Sequence, residues 1–223
     1  MKLQSYVDQA FKKELFKVSP EEKPEYNGIQ LINSKVIVSY LKQLLRNDLQ
    51  YTPFEMVAME KKVSEEITIQ TGQGPFTLRL GGTIDRMDAK ESTLRIVDYK
   101  TGGSPKIPAN IEQLFTPSEN TPRTISSRLF LYAAIMSRQQ SLMVAPALLY
   151  IHRAASENYS PVIEMGEPRK PKIPVNNFAF FEDEFRERLQ TLLEEIFSEE
   201  EPFTQTEDTK KCSYCDFKAI CKR

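Results

Sequence analysis

Two segments dominate the interpretation of this sequence: GGTIDRMD at residues 81–88 and LRIVDYKTG at residues 94–102. In both, apolar residues alternate with polar ones, a pattern typical of β-strands. Residues 90–93 are predicted to form the turn between them, with Glu91 and Ser92 at its centre. The resulting antiparallel register opposes Asp85 to Asp98, Thr83 to Lys100, Met87 to Ile96 and Asp88 to Arg95.

The predicted hairpin brings two carboxylates and an ammonium group to one face of the sheet. Opposed like charges destabilise a sheet unless something neutralises them, and a divalent cation between Asp85 and Asp98 would do so. Carboxylate oxygens suit Mg²⁺, or Mn²⁺ in its place, and such an ion also coordinates phosphate. Lys100 would then orient or activate an attacking water, or stabilise charge on the phosphate. Because apolar residues precede both acids, the hairpin favours phosphodiester hydrolysis over a simple surface ion pair.

Residues 82–88 and 96–102 together resemble the active-site segments of the PD-(D/E)XK nuclease superfamily, in its RecB-like branch, which includes AddB-type nuclease domains. The resemblance covers about residues 55–223. It implies an α/β fold with a restriction-endonuclease-like core, in which helices flank a mixed β-sheet. It also implies that Asp85, Asp98 and the Tyr99 carbonyl bind the metal ion, and that Lys100 is the catalytic lysine beside the two acids.

Further site residues follow from the same resemblance. Glu60 matches an acidic position that this branch often carries on the preceding strand, where it would be another metal ligand; a solvated strand glutamate is the alternative. The family's Q-L-x-x-Y helix motif corresponds to Arg128-Leu129-Phe130-Leu131-Tyr132, with arginine in place of glutamine. Arg128 is therefore a candidate to contact DNA phosphate, or a mark of reduced activity. The other candidates for DNA contact are Arg86, Thr101 and Tyr132, the last of which could equally belong to the core.

The three cysteines form the pattern C-x₂-C-x₅-C at Cys212, Cys215 and Cys221. Thiolates at this spacing predict a metal site, but zinc and iron–sulfur clusters require four ligands. The resemblance to AddB-type nucleases implies a [4Fe–4S] cluster with a fourth cysteine far upstream, and no cysteine precedes Cys212. We therefore expect a cluster only if a fourth ligand comes from outside this chain. Loosely bound zinc, unbound thiols or a disordered tail are the alternatives.

A second family landmark, an upstream histidine near the metal, is also missing, because the single histidine is His152. That residue is predicted to lie on a strand and to be structural. The two missing landmarks together predict a fragment, or a shortened relative that lacks the family's N-terminal segment.

Hydrophobic periodicity and the resemblance together predict three parts: an N-terminal helical segment at 1–52 packed on the core, a nuclease core at 53–205 and a cysteine-containing tail at 206–223. Helices are predicted at 3–18, from Ile29 to about Pro53, at 123–139 and at 177–198. Strands are predicted at 55–62, 65–70, 76–88, 94–100 and 146–152. Residues 102–122 contain four prolines and are predicted to form a long loop over the site.

The composition is that of a globular protein with a core, because 40% of the residues are hydrophobic and 27% are charged. No apolar run is long enough to span a bilayer, and the N-terminus lacks the pattern of a secretory signal. A cytoplasmic location is therefore expected. The net charge of −1 argues against a passive DNA-coating protein and confines any contact with DNA to a local feature.

The sequence thus predicts a Mg²⁺-dependent deoxyribonuclease. The resemblance adds an exonucleolytic mode and a helicase or nuclease partner subunit in DNA repair and recombination. The alternative is a nuclease-like module that binds DNA or a partner and has lost catalysis. Retention of both acids and the lysine favours the enzyme, because an inactive site has no need of paired carboxylates. A serine penicillin-recognising enzyme, suggested by Ser39-Tyr40-Leu41-Lys42 and Lys100-Thr101-Gly102, is rejected because no S-D-N element lies between them.

Overall fold

The computed structural model describes residues 3–23, 25–104, 107–116, 124–156, 159–167, 169–200, 202, 204–206 and 209–222. Its helices are α1 (Leu3–Ala10), α2 (Gly28–Tyr51), α3 (Glu112–Phe115), α4 (Thr124–Gln139), α5 (Glu182–Ile196) and α6 (Thr209–Cys212). Its strands are β1 (Glu55–Thr71), β2 (Gly74–Lys90), β3 (Thr93–Lys100), β4 (Met143–Tyr150), β5 (Glu164–Met165) and β6 (Ile173–Pro174). No helix in these residues is long and apolar enough to cross a membrane.

The main sheet has four strands in the order β1-β2-β3-β4. The pairs β1–β2 and β2–β3 are antiparallel, and the pair β3–β4 is parallel. A parallel pair requires a crossover connection, and α3 and α4 lie in the connection between β3 and β4. The predicted α/β architecture, a mixed sheet flanked by helices, is confirmed.

The hairpin of β2 and β3 has the predicted register. Its turn lies at Glu91 and Ser92, and its residue pairs include Met87 opposite Ile96 and Asp88 opposite Arg95. Glu91 adopts the left-handed backbone conformation that such a tight turn requires. The preceding hairpin differs from the prediction, because residues 55–71 form one continuous strand instead of two. A bulge between Met56 and Ala58 interrupts this strand without ending it.

Helices cover both faces of the sheet. One face carries the larger apolar core, in which Ile84, Ile96 and Leu148 pack with α4 and α5. The buried residues of α5 recur every fourth position, at Phe185, Leu189 and Leu193, which is the spacing of a helix that buries one side. The other face carries a smaller cluster of Val97, Ala147, Leu149, Ile151 and Ala154.

Helix α2 packs on this second face through Tyr40 and Leu44. Its first turn is fixed by a capping box, in which the Asn27 side chain accepts from the Gln30 N–H and the Gln30 side chain accepts from the Asn27 N–H. The division of the chain at residues 52 and 205 stays a prediction.

The helix boundaries differ from the prediction in two places, and α2 exposes part of its apolar side. The first helix is α-helical only to Ala10 and continues as a π-helix over Phe11–Phe16, so it ends before residue 18. The apolar side of α2 is largely outside the core, since Ile29, Ile32 and Val36 are exposed. The last long helix begins at Glu182, after a separate 3₁₀ turn at Phe178–Phe180.

Candidate active site

Strands β2 and β3 separate at the two predicted site acids. Their regular pairing extends from the turn to Arg86 opposite Val97 and then stops. Beyond that point the Asp85 carboxylate accepts a hydrogen bond from the backbone N–H of Tyr99 at 2.9 Å. The N–H and C=O of one strand residue point toward the same neighbouring strand, so the Tyr99 carbonyl faces the gap that Asp85 fills.

This geometry corrects one part of the prediction. The directly opposed pairs Asp85–Asp98 and Thr83–Lys100 are absent from the ladder, because a side chain takes the place of the backbone contacts there. Side chains of a regular strand alternate between the two faces of the sheet, so Ile84 and Met87, three positions apart, should lie on opposite faces. Both pack in the larger core, so the alternation shifts between them. Asp85 and Asp98 therefore lie just beyond the end of the ladder, each on its own strand.

Asp98 is the most buried acid of the candidate site, with its side chain 4% exposed. It lies two residues after the core residue Ile96 and faces α4. One carboxylate oxygen, Oδ1, contacts the guanidinium of Arg128, and the other, Oδ2, contacts the ammonium group of Lys100. Two cations thus flank this buried carboxylate.

The donor set fits a hard divalent cation. Asp85, Asp98 and the Tyr99 carbonyl offer oxygen ligands, which Mg²⁺ and Mn²⁺ prefer. Oδ2 of Asp98 is buried and contacts Lys100, and Oδ1 contacts Arg128, so a metal ion that binds Asp98 has to displace one of these two cations. The described residues contain no group of three or more His, Cys, Asp or Glu side chains placed to hold a metal. A metal ion here would therefore depend on the two aspartates and the backbone carbonyl.

Glu60 lies next to Asp85 in the sheet but does not join the other acids. The neighbouring pairs place Met59 opposite Arg86 and Lys61 opposite Ile84, so Glu60 falls at the level of Asp85. The residue is exposed, and its positive φ of 49° marks a local distortion of β1. Its role as a metal ligand stays a prediction, with the solvated glutamate as its alternative.

Arg86 does not contact DNA from the surface, as the sequence suggested, because it is buried with 1% exposure. Its guanidinium donates to Asp88 at 2.7 Å and to Asp48 of α2 at 2.9 Å, and it also donates to the Tyr99 hydroxyl at 3.2 Å. Burial lowers the pKa of Arg86, but the hydrogen bonds to Asp48 and Tyr99 outweigh it and leave the pKa raised. The residue therefore stays charged and holds the hairpin against α2.

The remaining DNA-contact candidates occupy different environments. Arg128 has a half-exposed side chain beside Asp98. Thr101 is exposed just after β3, where its carbonyl accepts from the Tyr40 hydroxyl at 3.4 Å. Tyr132 is buried in the core against Gly82, whose close approach leaves no room for a Cβ atom beside the Tyr132 hydroxyl. The structure thus gives Tyr132 a packing role.

One residue near the site was missed by the sequence interpretation. Tyr150 pairs with Lys100 at the end of β4, and its hydroxyl donates to the Ser104 carbonyl at 3.3 Å. Burial raises the pKa of Tyr150, and the nearby charge of Asp98 raises it further. No motif marked this residue, because its position depends on the parallel pairing of β3 and β4. Parts of the predicted loop at 102–122 lie outside the described residues.

The cysteine tail and the histidine lie apart from this arrangement. Cys212, Cys215 and Cys221 are half-buried and form no disulfide within the described chain. They do not form a metal-binding group there with each other or with nearby acids. His152 is exposed in a 3₁₀ turn at Ile151–Arg153 instead of on a strand, because β4 ends at Tyr150.

Comparisons with known proteins place the chain at the level of a family. A search of curated proteins finds no significant match. A solved structure described as "Crystal structure of SSO0001" is similar with a TM-score of 0.31 and 14% identity, over 98% of this chain and 84% of that one. This likeness is too low to carry an argument. The family model of the PD-(D/E)XK nuclease superfamily matches residues 2–222, and the chain therefore belongs to that superfamily.

Proposed function

We propose that this protein is a divalent-metal-dependent DNA nuclease that hydrolyses phosphodiester bonds with Asp85, Asp98 and Lys100. The observation that carries the proposal is the break between β2 and β3, where Asp85 contacts the Tyr99 backbone and the buried Asp98 contacts Lys100. Membership of a nuclease superfamily supports the class of reaction. The net charge of −1 fits an enzyme that contacts DNA through a local site.

The proposed roles follow from the position of each group. Asp85, Asp98 and the Tyr99 carbonyl would hold the metal ion. When bound, Mg²⁺ would supply a positive charge that polarises the phosphate and lowers the pKa of bound water. Lys100, with its side chain 20% exposed, is close enough to solvent to meet a water or a phosphate oxygen. Its ammonium group would orient the attacking water and stabilise negative charge on the phosphate.

The finer assignments rest on the resemblance of the two hairpin segments. They are membership of the RecB-like, AddB-type branch, exonucleolytic action, a helicase or nuclease partner subunit and a cytoplasmic role in DNA repair and recombination. A [4Fe–4S] cluster at Cys212, Cys215 and Cys221 belongs to the same group of proposals and requires a fourth ligand from elsewhere. Iron and sulfide analysis of protein purified without oxygen tests the cluster separately from the nuclease.

The nuclease is tested by incubating the full chain with labelled linear single-stranded DNA, linear duplex and circular duplex, each with Mg²⁺, Mn²⁺ or EDTA. We expect linear DNA to be degraded only with metal, and an exonuclease to leave the circle intact. Asp98→Asn and Lys100→Met should each lower the rate by at least about 100-fold. Asp183→Asn, at an exposed acid of α5, is the matched control and should leave the rate unchanged.

A second candidate function is a nuclease-like module that binds DNA or a partner without cutting. The observation that favours it is the contact of Arg128 with Asp98, which places a cation on a proposed metal ligand. Binding of DNA by the wild type, with no cleavage under any metal condition, would support the module and reject the enzyme. Loss of folding in Asp98→Asn or Lys100→Met, seen by circular dichroism, would instead make these residues structural.

A further inference from the structure

We propose that Arg128 couples the binding of the metal ion to the binding of DNA. Without either ligand, its guanidinium occupies Oδ1 of Asp98; when DNA arrives, the guanidinium moves to a backbone phosphate and leaves this oxygen to the metal. The inference rests on the proposed nuclease function and adds the order in which the site becomes competent. It concerns the one motif position at which this chain has arginine where the family motif has glutamine.

Arg128, Lys100 and a metal ion compete for the Asp98 carboxylate. Both of its carboxylate oxygens contact cations, Lys100 at Oδ2 and Arg128 at Oδ1. A divalent ion needs at least one of these oxygens and would be repelled by a guanidinium that stays beside it. Metal binding therefore requires one of the two cations to move away.

Arg128 is better able than Lys100 to move away from Asp98. Its side chain is 48% exposed, whereas that of Lys100 is 20% exposed. Lys100 lies two residues from Asp98 on the same strand, while Arg128 reaches across from α4. The next residues of α4, Leu129 and Phe130, are completely buried, so the helix stays in place while the arginine side chain changes partner.

The Arg128 guanidinium that leaves Asp98 needs a new anionic partner. Asp98 is the only carboxylate that forms an ion pair with Arg128 among the described residues. A guanidinium binds phosphate with two parallel hydrogen bonds, so a DNA phosphate near the site replaces the carboxylate without leaving the charge unpaired. Since the phosphate relieves competition at Asp98, DNA should tighten metal binding, and the metal should tighten DNA binding by the same factor.

The experiment measures Mn²⁺ affinity by isothermal titration calorimetry on the metal-free full chain, with and without a phosphorothioate oligonucleotide that resists hydrolysis. The wild type should bind Mn²⁺ more tightly with DNA, by about 5- to 150-fold, the usual range of coupling between two sites. Arg128→Gln should bind Mn²⁺ more tightly than the wild type when DNA is absent, and its coupling factor should fall toward one. Arg128→Lys, which keeps the charge, should retain part of the coupling.

Arg138→Gln is the matched control. It makes the same change of charge on the same helix, at an exposed arginine that lies 3.9 Å from Glu65 and not beside Asp98. Its Mn²⁺ affinity and coupling factor should equal those of the wild type. If both arginine variants change the affinity equally, the effect is one of net charge and the proposal fails.

The outcomes separate this proposal from the proposed function. If the wild type binds Mn²⁺ and cuts DNA, but Arg128→Gln binds Mn²⁺ no more tightly without DNA, only the coupling is wrong. If neither protein binds Mn²⁺ with or without DNA, both proposals are wrong. Tighter Mn²⁺ binding in Arg128→Gln supports the coupling even if the wild type binds no Mn²⁺ without DNA.

Discussion

The carboxylate of Asp85 accepts a hydrogen bond from the backbone N–H of Tyr99 at 2.9 Å, immediately beyond the last pair of the β2–β3 ladder. A side chain thus completes the hydrogen bonding that a backbone carbonyl provides elsewhere in the sheet. The consequence is a gap at the level of Asp98 in an otherwise regular hairpin. A gap bordered by two acids and a backbone carbonyl suits a cation better than an unbroken ladder does.

The double role of Asp85 can be separated by two substitutions. Asp85→Asn keeps an oxygen that accepts from the Tyr99 N–H, so the free energy of unfolding should change little. The substitution removes the negative charge of a proposed metal ligand, so it should abolish cleavage. Asp85→Ala removes the acceptor and should also destabilise the fold by about 1–3 kcal/mol, the usual cost of an unsatisfied buried donor. Urea denaturation and a cleavage assay on both variants check this. Equal stability of the two variants would show that the hydrogen bond contributes nothing.

Asp88 should be essential for stability because it neutralises two buried arginines. It is fully buried, and it accepts from Arg95 twice at 2.9 Å and from Arg86 at 2.7 Å. Asp88→Asn leaves these cations with too little negative charge and should lower the free energy of unfolding by about 3–5 kcal/mol. Chemical denaturation measures the loss.

The control for Asp88 is a surface ion pair of similar geometry. Arg79 lies 3.0 Å from Glu66, and both side chains are more than half exposed. Arg79→Ala should change the free energy of unfolding by no more than about 1 kcal/mol, because water solvates and screens both charges. A loss as large as that of Asp88→Asn would contradict the argument from burial.

Gly82 should resist replacement because Tyr132 packs directly against it. A Cβ atom at this position would overlap the Tyr132 hydroxyl and lie 3.1 Å from the ring carbon Cζ. Gly82→Ala should therefore destabilise the protein by about 1–3 kcal/mol, as overpacked cores do. Adding Tyr132→Phe, which removes the hydroxyl, should restore part of the loss in thermal unfolding.

Gly81 provides the contrast. A Cβ atom there would meet the Val63 carbonyl and the Cα and Cβ atoms of Ser64 in β1, and Tyr132 is not among its nearest neighbours. Tyr132→Phe should therefore leave the instability of Gly81→Ala unchanged. Rescue of both glycine variants to the same extent would mean that Tyr132→Phe stabilises the fold in general.

Alkaline pH should weaken the fold through partly buried tyrosines such as Tyr159. Its hydroxyl donates to the Leu148 carbonyl at 3.1 Å and accepts from the Tyr150 N–H at 2.8 Å. Burial raises the pKa of Tyr159, although the hydrogen bond with the Tyr150 backbone lowers it. A raised pKa in the folded state means that this stability is complete below about pH 10 and declines as the pH rises further.

The expectation is checked by comparing the wild type with Tyr159→Phe across that range. Near neutral pH the variant should be less stable by about 1–3 kcal/mol, because the Tyr150 N–H and Leu148 carbonyl lose their partner. Above about pH 10 the difference should shrink, since only the wild type has a hydroxyl to ionise at this position. A difference that grows with pH would contradict the raised pKa.

The hairpin was predictable because its information is local. A four-residue turn and the alternation on either side fix which residues of β2 and β3 face each other, and Met87 opposite Ile96 confirms that register. The class of fold follows from the same segments together with the helical patterns around them. The sequence pattern predicted two strands where β1 is one. A strand can be distorted at a residue such as Glu60 and still continue, and the order of apolar and polar residues does not show this.

The contacts of the site depend on tertiary structure and could not be predicted from sequence. Arg128 and Asp98 meet because α4 lies over the end of β3, and neither segment's sequence indicates that the two residues are in contact. Arg86 is a candidate for DNA contact by resemblance, and its burial could not be read from the sequence. It faces inward because the alternation of faces shifts between Ile84 and Met87. Such a shift depends on the packing of the whole sheet.

The ion pair between Arg86 and Asp48 limits how far the N-terminus can be shortened in a minimal catalytic fragment of this protein. Helix α2 supplies an anion to the inner side of the same hairpin that carries the proposed catalytic groups. A truncation starting at β1 would leave the guanidinium with less negative charge and strip the apolar covering that Tyr40 and Leu44 provide. Expression of a working nuclease unit therefore has to start upstream of the capping residue Asn27, even though no proposed catalytic side chain precedes Glu60.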